Sequence, residues 1–240
     1  MRFLFPLVAL SFTAACNIIS VERDAPRPAQ PAPQNVSSAP SMNPEQAARQ
    51  FVRVVQDMEP VAEAECRART PDLNCDFNIV VDDRPGQPPN AFQTLDKNGR
   101  PILAFNIPLI ATVRNADELA FVMGHEAAHH ISRHLERQRR NATAGAVVLA
   151  GITALAGGGQ GAIDTAQQVG ASVGARTYSK DFELEADRLG TIITHKAGYN
   201  PVRGAAFFTR IADPGNRFLG THPPNAARIE IVRSTAATLN

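Results

Sequence analysis

Residues Asn115 to His134 read NADELAFVMGHEAAHHISRH. Asn115 followed three positions later by Glu118 is a helix-start pattern, in which a capping side chain takes up a first-turn N–H. Beyond it, apolar or small residues fall on nearly every side: Leu119, Ala120, Phe121, Val122, Met123, Ala127 and Ala128. A helix that is apolar all round is a central one, and polar groups carried into a core need partners. His125 and His129 stand at i and i+4, so both imidazoles leave one face and can share one metal ion. Glu126 lies about 100° further round, beside that metal without being a third ligand. Two histidines holding zinc, with a glutamate to take a proton from a bound water, is the arrangement of zinc hydrolases. His130 and His134 repeat the spacing, but Ile131 follows the first of them, so no base accompanies the pair. They are read as a solvated or structural face.

A third ligand has to come from elsewhere. Metzincin proteases place a third histidine six residues beyond the second; here that position is Leu135. A carboxylate from a later helix is the other common solution. The stretch Ser179 to Lys196, SKDFELEADRLGTIITHK, reads as a helix with Ser179 at its start and Gly198 as its stop. Glu183 and Asp187 are i and i+4 on one face, with Ala186 and Gly190 small beside them, so a neighbouring helix can approach. Glu183 is the expected ligand, with Asp187 orienting a ligand histidine through its other ring N–H. Glu185 points some 160° away from Asp187 and is the runner-up.

The rest of the chain sets the context. In 240 residues, 24 Lys+Arg against 23 Asp+Glu give a net charge of +1, which disfavours a nucleic-acid partner. No apolar run reaches the roughly 20 residues of a membrane-spanning helix. Residues 1–16, MRFLFPLVALSFTAAC, have a positive start, an apolar stretch and small residues before Cys16. They are expected to be a secretory signal of lipoprotein type, with Cys16 acylated. Residues 17–43 are proline-rich and read as a spacer, leaving 44–240 as the folded domain. With Cys16 acylated, Cys66 and Cys75 form an even pair in an oxidising compartment and are expected to be a disulfide.

Within that domain, Phe51, Val55, Met58 and Val61 recur at helical spacing, with Pro60 expected to kink or divide the helix. Phe77–Val81, Phe92–Leu95 and Ile102–Phe105 read as short strands, the last two joined by an Asn98-Gly99 turn. After Pro108 the chain reads as almost entirely helical. Few strands early and many helices later is an α+β pattern, mostly helical with a small N-terminal sheet. Ala144–Gly159 is apolar and glycine-rich, expected either to pack in the domain as a small-residue helix or to act as a lid, with membrane-surface contact as the other reading. The basic stretch Arg133 to Arg140 reads as a solvated helix end.

HEAAH, then ELEAD-RLG about fifty residues later, then AGYNP at Ala197–Pro201, resembles the HtpX-like and CaaX-prenyl-protease-like zinc metallopeptidases, and most of all their exported bacterial members. Asn90-Ala91-Phe92, His222-Pro223-Pro224 and Arg228-Ile229 extend the resemblance over roughly Asn90 to Ile231. It implies a zincin-like gluzincin domain with one Zn²⁺ per chain and peptide-bond hydrolysis. The ligands would be His125, His129 and Glu183, the base Glu126, and the second carboxylate Asp187. The similar His-Pro of the family makes His222 the candidate oxyanion donor, with Arg228 and Tyr178 weaker ones. An extended substrate is expected to add as a strand along Ile102–Phe105. The resulting expectation is a periplasmic endopeptidase, held to a bacterial membrane by its lipid anchor (the outer more than the inner) and cutting unfolded or misassembled envelope proteins. The alternative is a chaperone or assembly lipoprotein whose zinc is structural.

Overall fold

The computed structural model describes residues 42–177, 179–213, 215 and 222–239. The stretch read as an export signal, Cys16, the expected spacer up to Ser41 and Tyr178 lie outside the described residues. Helix α1 (Pro44–Arg69) starts at Asn43, whose side chain accepts from the Gln46 N–H while Gln46 accepts from the Asn43 N–H. Pro60 does not divide it. Its surroundings are polar and exposed on that side, where a missing N–H is tolerated by solvent.

Strands β1 (Asn78–Asp82), β2 (Ala91–Leu95) and β3 (Pro101–Asn106) form a sheet in the order β1-β3-β2. β3 pairs in parallel with β1 and antiparallel with β2. The central place of β3 follows from its burial: Pro101 and Leu103 to Asn106 are buried, whereas β1 and β2 are only partly covered. Ile102–Phe105 therefore offers no free edge to a substrate, contrary to the sequence reading; among the described residues β1 and β2 are the strands paired on one side only, and β2 is the one beside the cleft.

Helix α2 (Ile107–Thr112) follows β3 directly. At their junction buried Asn106 accepts from the Leu109 and Asn90 N–H groups, both at 2.9 Å, and donates to the Pro88 carbonyl. One side chain thus caps a helix and fixes the chain entering β2.

Helix α3 (Ala116–Ile131) is the hub: Leu119, Ala120, Phe121, Met123, Ala127 and Ala128 are almost completely buried against α1, the sheet and later helices. Asn115 caps it by accepting from the Glu118 N–H at 3.1 Å. Its first-turn carboxylates are buried too and are satisfied: Asp117 by the Asn200 N–H and Arg203, Glu118 by the Arg114 N–H and Arg210. Acids suit this end of a helix, where the N–H dipoles converge.

α3 does not run on to His134. It stops at Ser132, and Arg133 takes a left-handed conformation (φ 54°) that redirects the chain into α4 (His134–Leu155). Helix α5 (Gln160–Arg176) returns antiparallel to α4, after the positive-φ Gly157. Helix α6 (Ser179–Lys196) then crosses α3, and Gly198 (φ +84°) ends the turn beyond it. A short α7 (Pro201–Gly204), a 3₁₀ turn (Ala205–Thr209) and α8 (Asn225–Ala236) close the domain. No helix among the described residues is long and apolar enough to cross a membrane.

Two ties hold α1 to its surroundings. Cys66 and Cys75 form a disulfide across a separation of nine residues. A loop of that size is worth roughly 2–3 kcal/mol by closure entropy. The Cys66→Ala, Cys75→Ala double variant should therefore melt about 5–10 °C lower, at about 2–4 °C per kcal/mol, as read by calorimetry. Buried Glu65 accepts from Arg69 at 3.0 Å and pairs with Lys196 at the end of α6. Burial alone would raise its carboxyl, but the hydrogen bonds from Lys196 and Arg69 outweigh that and hold it below its usual 4.5. A depressed folded value means stability present above about pH 4.5 and lost as the pH falls through that lower value. Glu65→Gln should lower the melting temperature near pH 7 and flatten its fall below pH 4.5.

Candidate metal centre

α3 and α6 cross with almost no side chain between them. A β-carbon at Gly190 would sit 2.9 Å from the His125 nitrogen, and one at Gly124 would sit 2.8 Å from the Gly190 carbonyl oxygen. This contact lets the short reach of His125 and His129 on α3 meet Glu183 on α6. His125 Nε2 and His129 Nε2 are 3.0 Å apart; Glu183 Oε2 lies 3.6 Å from the first, and Oε1 lies 3.4 Å from the second. Zinc bonds of about 2.0–2.1 Å at tetrahedral angles separate ligand atoms by about 3.3 Å. Two imidazoles and a carboxylate on that triangle fit a zinc ion in both donor type and spacing.

The shell behind this triangle is dense. Asp187, fully buried, lies 3.0 Å from His125 Nδ1 and accepts from Arg228 through both its oxygens at 2.7 Å. Arg228 stacks its guanidinium 3.9 Å over the Phe208 ring and stands 3.6 Å from Glu183. Burial would depress the His125 imidazole, but Asp187 and Glu183 outweigh it and raise it to about 9. Burial would also raise the Glu183 carboxyl; contacts with His125, His129 and His222 hold it well below the usual range instead. Asp187 is likewise lowered, its burial outweighed by the charge and hydrogen bonds of Arg228. His222, about half exposed before α8, puts Nδ1 3.1 Å from Glu183 Oε2.

Glu126 points into a cleft of about 480 Å³ rimmed by Asn90–Gln93 of the β2 segment on one side and Phe182, His222 and Arg228 on the other. No hydrogen bond from the described residues engages its carboxylate, which leaves it open to whatever enters the cleft.

Three residues, His134, Arg137 and His130, carry more here than the sequence indicated. His134 is buried rather than solvated: its Nδ1 lies 2.8 Å from His129 Nδ1, its ring stacks on Phe182, and its Nε2 lies 3.2 Å from Glu185. Burial and the neighbouring His129 push His134 down to about 4, so it is neutral at pH 7 and able to fix the His129 ring. Glu185, the runner-up ligand, is committed instead to His134 and Arg137 and stands apart from the ligand triangle. Arg137 is thereby anchored, with its guanidinium 4.2 Å over Phe182, and is not part of a solvated helix end. His130 is buried as well, with Nε2 2.8 Å from the Asn74 carbonyl. The left-handed turn at Arg133, which sets His134 at an angle that continuous helical spacing would not give, is why the pattern missed this contact. His134→Phe keeps the stacking surface and removes the ring nitrogens. It should weaken zinc retention by about 10- to 100-fold in a chelator competition, with little change in helix content.

A helical domain with a small sheet, presenting two histidines and a glutamate at metal-ligand spacing beside a free carboxylate, is the architecture of a metallopeptidase. Residues 48–236 match the family model described as peptidase family M48, and the chain belongs to that family of zinc-dependent metallopeptidases. Among curated proteins it is 36% identical over 130 residues to a putative beta-barrel assembly-enhancing protease of Vibrio cholerae. That match covers 51% of this chain and 26% of the relative. Beta-barrel assembly-enhancing proteases of Escherichia coli and Yersinia pestis are each 30% identical, over 138 and 140 residues, covering 51% of this chain and 28% of theirs. The matched region thus spans a little over a quarter of each of these relatives.

Proposed function

We propose that this chain is an exported zinc endopeptidase with a zincin-like, gluzincin-type domain over residues 44–240, cutting unfolded or misassembled proteins of the bacterial envelope. The observation that carries the reading is the triangle of His125, His129 and Glu183, with Glu126 unengaged beside it in an open cleft. His125, His129 and Glu183 would hold a single zinc, which would supply Lewis acidity toward the scissile carbonyl and a water of lowered pKa, about 7. Glu126 takes the proton from the attacking water and hands it to the departing amine. Asp187 orients the His125 ring through Nδ1 and is itself neutralised by Arg228. His222 stands at the cleft wall as the donor for developing negative charge on the carbonyl oxygen. The free edge of β2 accepts an extended substrate through backbone hydrogen bonds, with little demand on side-chain identity. That suits unfolded clients and accords with the names of the relatives, beta-barrel assembly-enhancing proteases.

The same reading assigns residues 1–16 as a lipoprotein signal, Cys16 as the acylated N-terminus and residues 17–43 as the tether. It places the enzyme in the periplasm on a bacterial membrane, the outer one by preference. The test is to incubate the purified protein with an unfolded, casein-like substrate, with and without chelator. Cutting abolished by chelation and restored by zinc supports the proposal. Binding of the client without cutting in any sample would overturn it in favour of a zinc-stabilised chaperone.

A further inference from the structure

The α4–α5 hairpin inverts the usual packing of a water-soluble helix pair. Between its helices stand glycines: a β-carbon at Gly145 would run into the Gly170 carbonyl, and one at Gly174 into the Asn141 carbonyl. The large apolar side chains face out instead. Val147, Val148, Ile152 and Leu155 on α4 are 57–92% exposed, and Val169 and Val173 on α5 are 41–48% exposed. The four on α4 share one stripe with Ala144 and Gly151. Small residues at the helix–helix contact with bulky apolar ones outward is the logic of helices in lipid. Beyond its junction with α3 the hairpin packs chiefly on itself, and none of residues 144–159 lines the cleft. The segment is thus neither packed in the domain nor a lid over the cleft in this structure.

Charge names the occupant. From Asn141 to Ala175 the only charged residue is Asp164, to which Gln160 donates a hydrogen bond. The base of the hairpin carries exposed Arg139, Arg140 and Arg176, with one acid on the same face, Glu136, 3.5 Å from Arg140. A second copy would bring the same three arginines against Glu136 and Asp164 alone, an excess of like charge. Anionic headgroups above an acyl layer match both the basic base and the apolar stripe. We infer that the outward face of α4 and the hairpin tip seat in the interface of an anionic phospholipid membrane, a contact separate from any N-terminal acyl group. The stretch from Arg140 to Leu155 rises about 22 Å, short of a bilayer core, and α5 keeps polar Gln160, Asp164, Gln167 and Gln168 exposed. The hairpin therefore lies in the interface and does not span.

The protein has no tryptophan, so a single one reports cleanly. Leu155→Trp in the full chain is mixed with phosphatidylglycerol-containing or pure phosphatidylcholine vesicles, with Val52→Trp on α1 as the control. Blue-shifted emission quenched by bromine-labelled acyl chains, at Leu155→Trp and not at Val52→Trp, and stronger on the anionic vesicles, supports the inference. Adding Arg139→Glu and Arg140→Glu should weaken that vesicle response by about tenfold or more. An unshifted Leu155→Trp on vesicles that retain the protein would show that the N-terminus alone holds it. A shift that needs no vesicles and tracks protein concentration would show that a second copy covers the face. Either result, or indifference to the arginine reversal, overturns the inference.

Discussion

Glu126→Gln should lower peptide hydrolysis by about 10²–10⁴-fold while one zinc per chain is retained and the melting temperature stays within a degree or two. The amide keeps the shape of the side chain but cannot accept the proton of the attacking water. Glu126 is outside the ligand triangle, and no hydrogen bond from the described residues depends on its charge. The substitution therefore removes a base without removing a ligand or a structural contact. Steady-state cleavage of a fluorogenic peptide, with zinc content measured on the same samples, checks both halves. Activity that survives with zinc in place would mean that Glu126 is not the base.

Gly190→Val should be the most damaging single substitution at the helix crossing. Its β-carbon alone would stand 2.9 Å and 3.0 Å from the His125 nitrogen and α-carbon, and 3.1 Å from the Gly124 carbonyl carbon. All three are backbone atoms inside a packed helix, so α6 has to move away from α3. Overpacking of this kind costs about 1–3 kcal/mol or more. The larger consequence is geometric, because Glu183 travels with α6 and the ligand atoms need placement to within about 0.5 Å. Substoichiometric zinc and a melting temperature lower by several degrees are expected. Gly151→Val is the control: a β-carbon there meets nothing within 4 Å, and zinc content should not change. Equal effects of the two substitutions would mean that the helix crossing does not set the site.

The residues of this site were legible in proportion to how local their signals are. The cap at Asn115, the pairing of His125 with His129, and the i, i+4 relation of Glu183 to Asp187 are all written in short-range spacing. The strands emerged within a residue or two of their bounds, because β-branched and aromatic runs flank clear turn signals. Their order did not: β3 is central because its residues are buried on both faces, and alternation cannot express that for so short a run. Arg228 stood in the sequence only as a weaker candidate for the oxyanion donor. Its importance comes from Asp187, a buried carboxylate whose need for a cation only the fold reveals. His134 was hidden by one left-handed residue. The hairpin was left open between packing, lid and membrane contact for a different reason, since small and apolar composition says nothing of which side chains face inward.

α3 and α6 are placed to share one divalent ion, and zinc-edge X-ray absorption of the purified chain measures that directly. One zinc per chain, with two imidazole nitrogens and a carboxylate oxygen at about 2.0–2.2 Å, and loss of the metal in Glu183→Ala, is the predicted result. A zinc environment unchanged by Glu183→Ala, or a chain that takes up no metal at all, would contradict it.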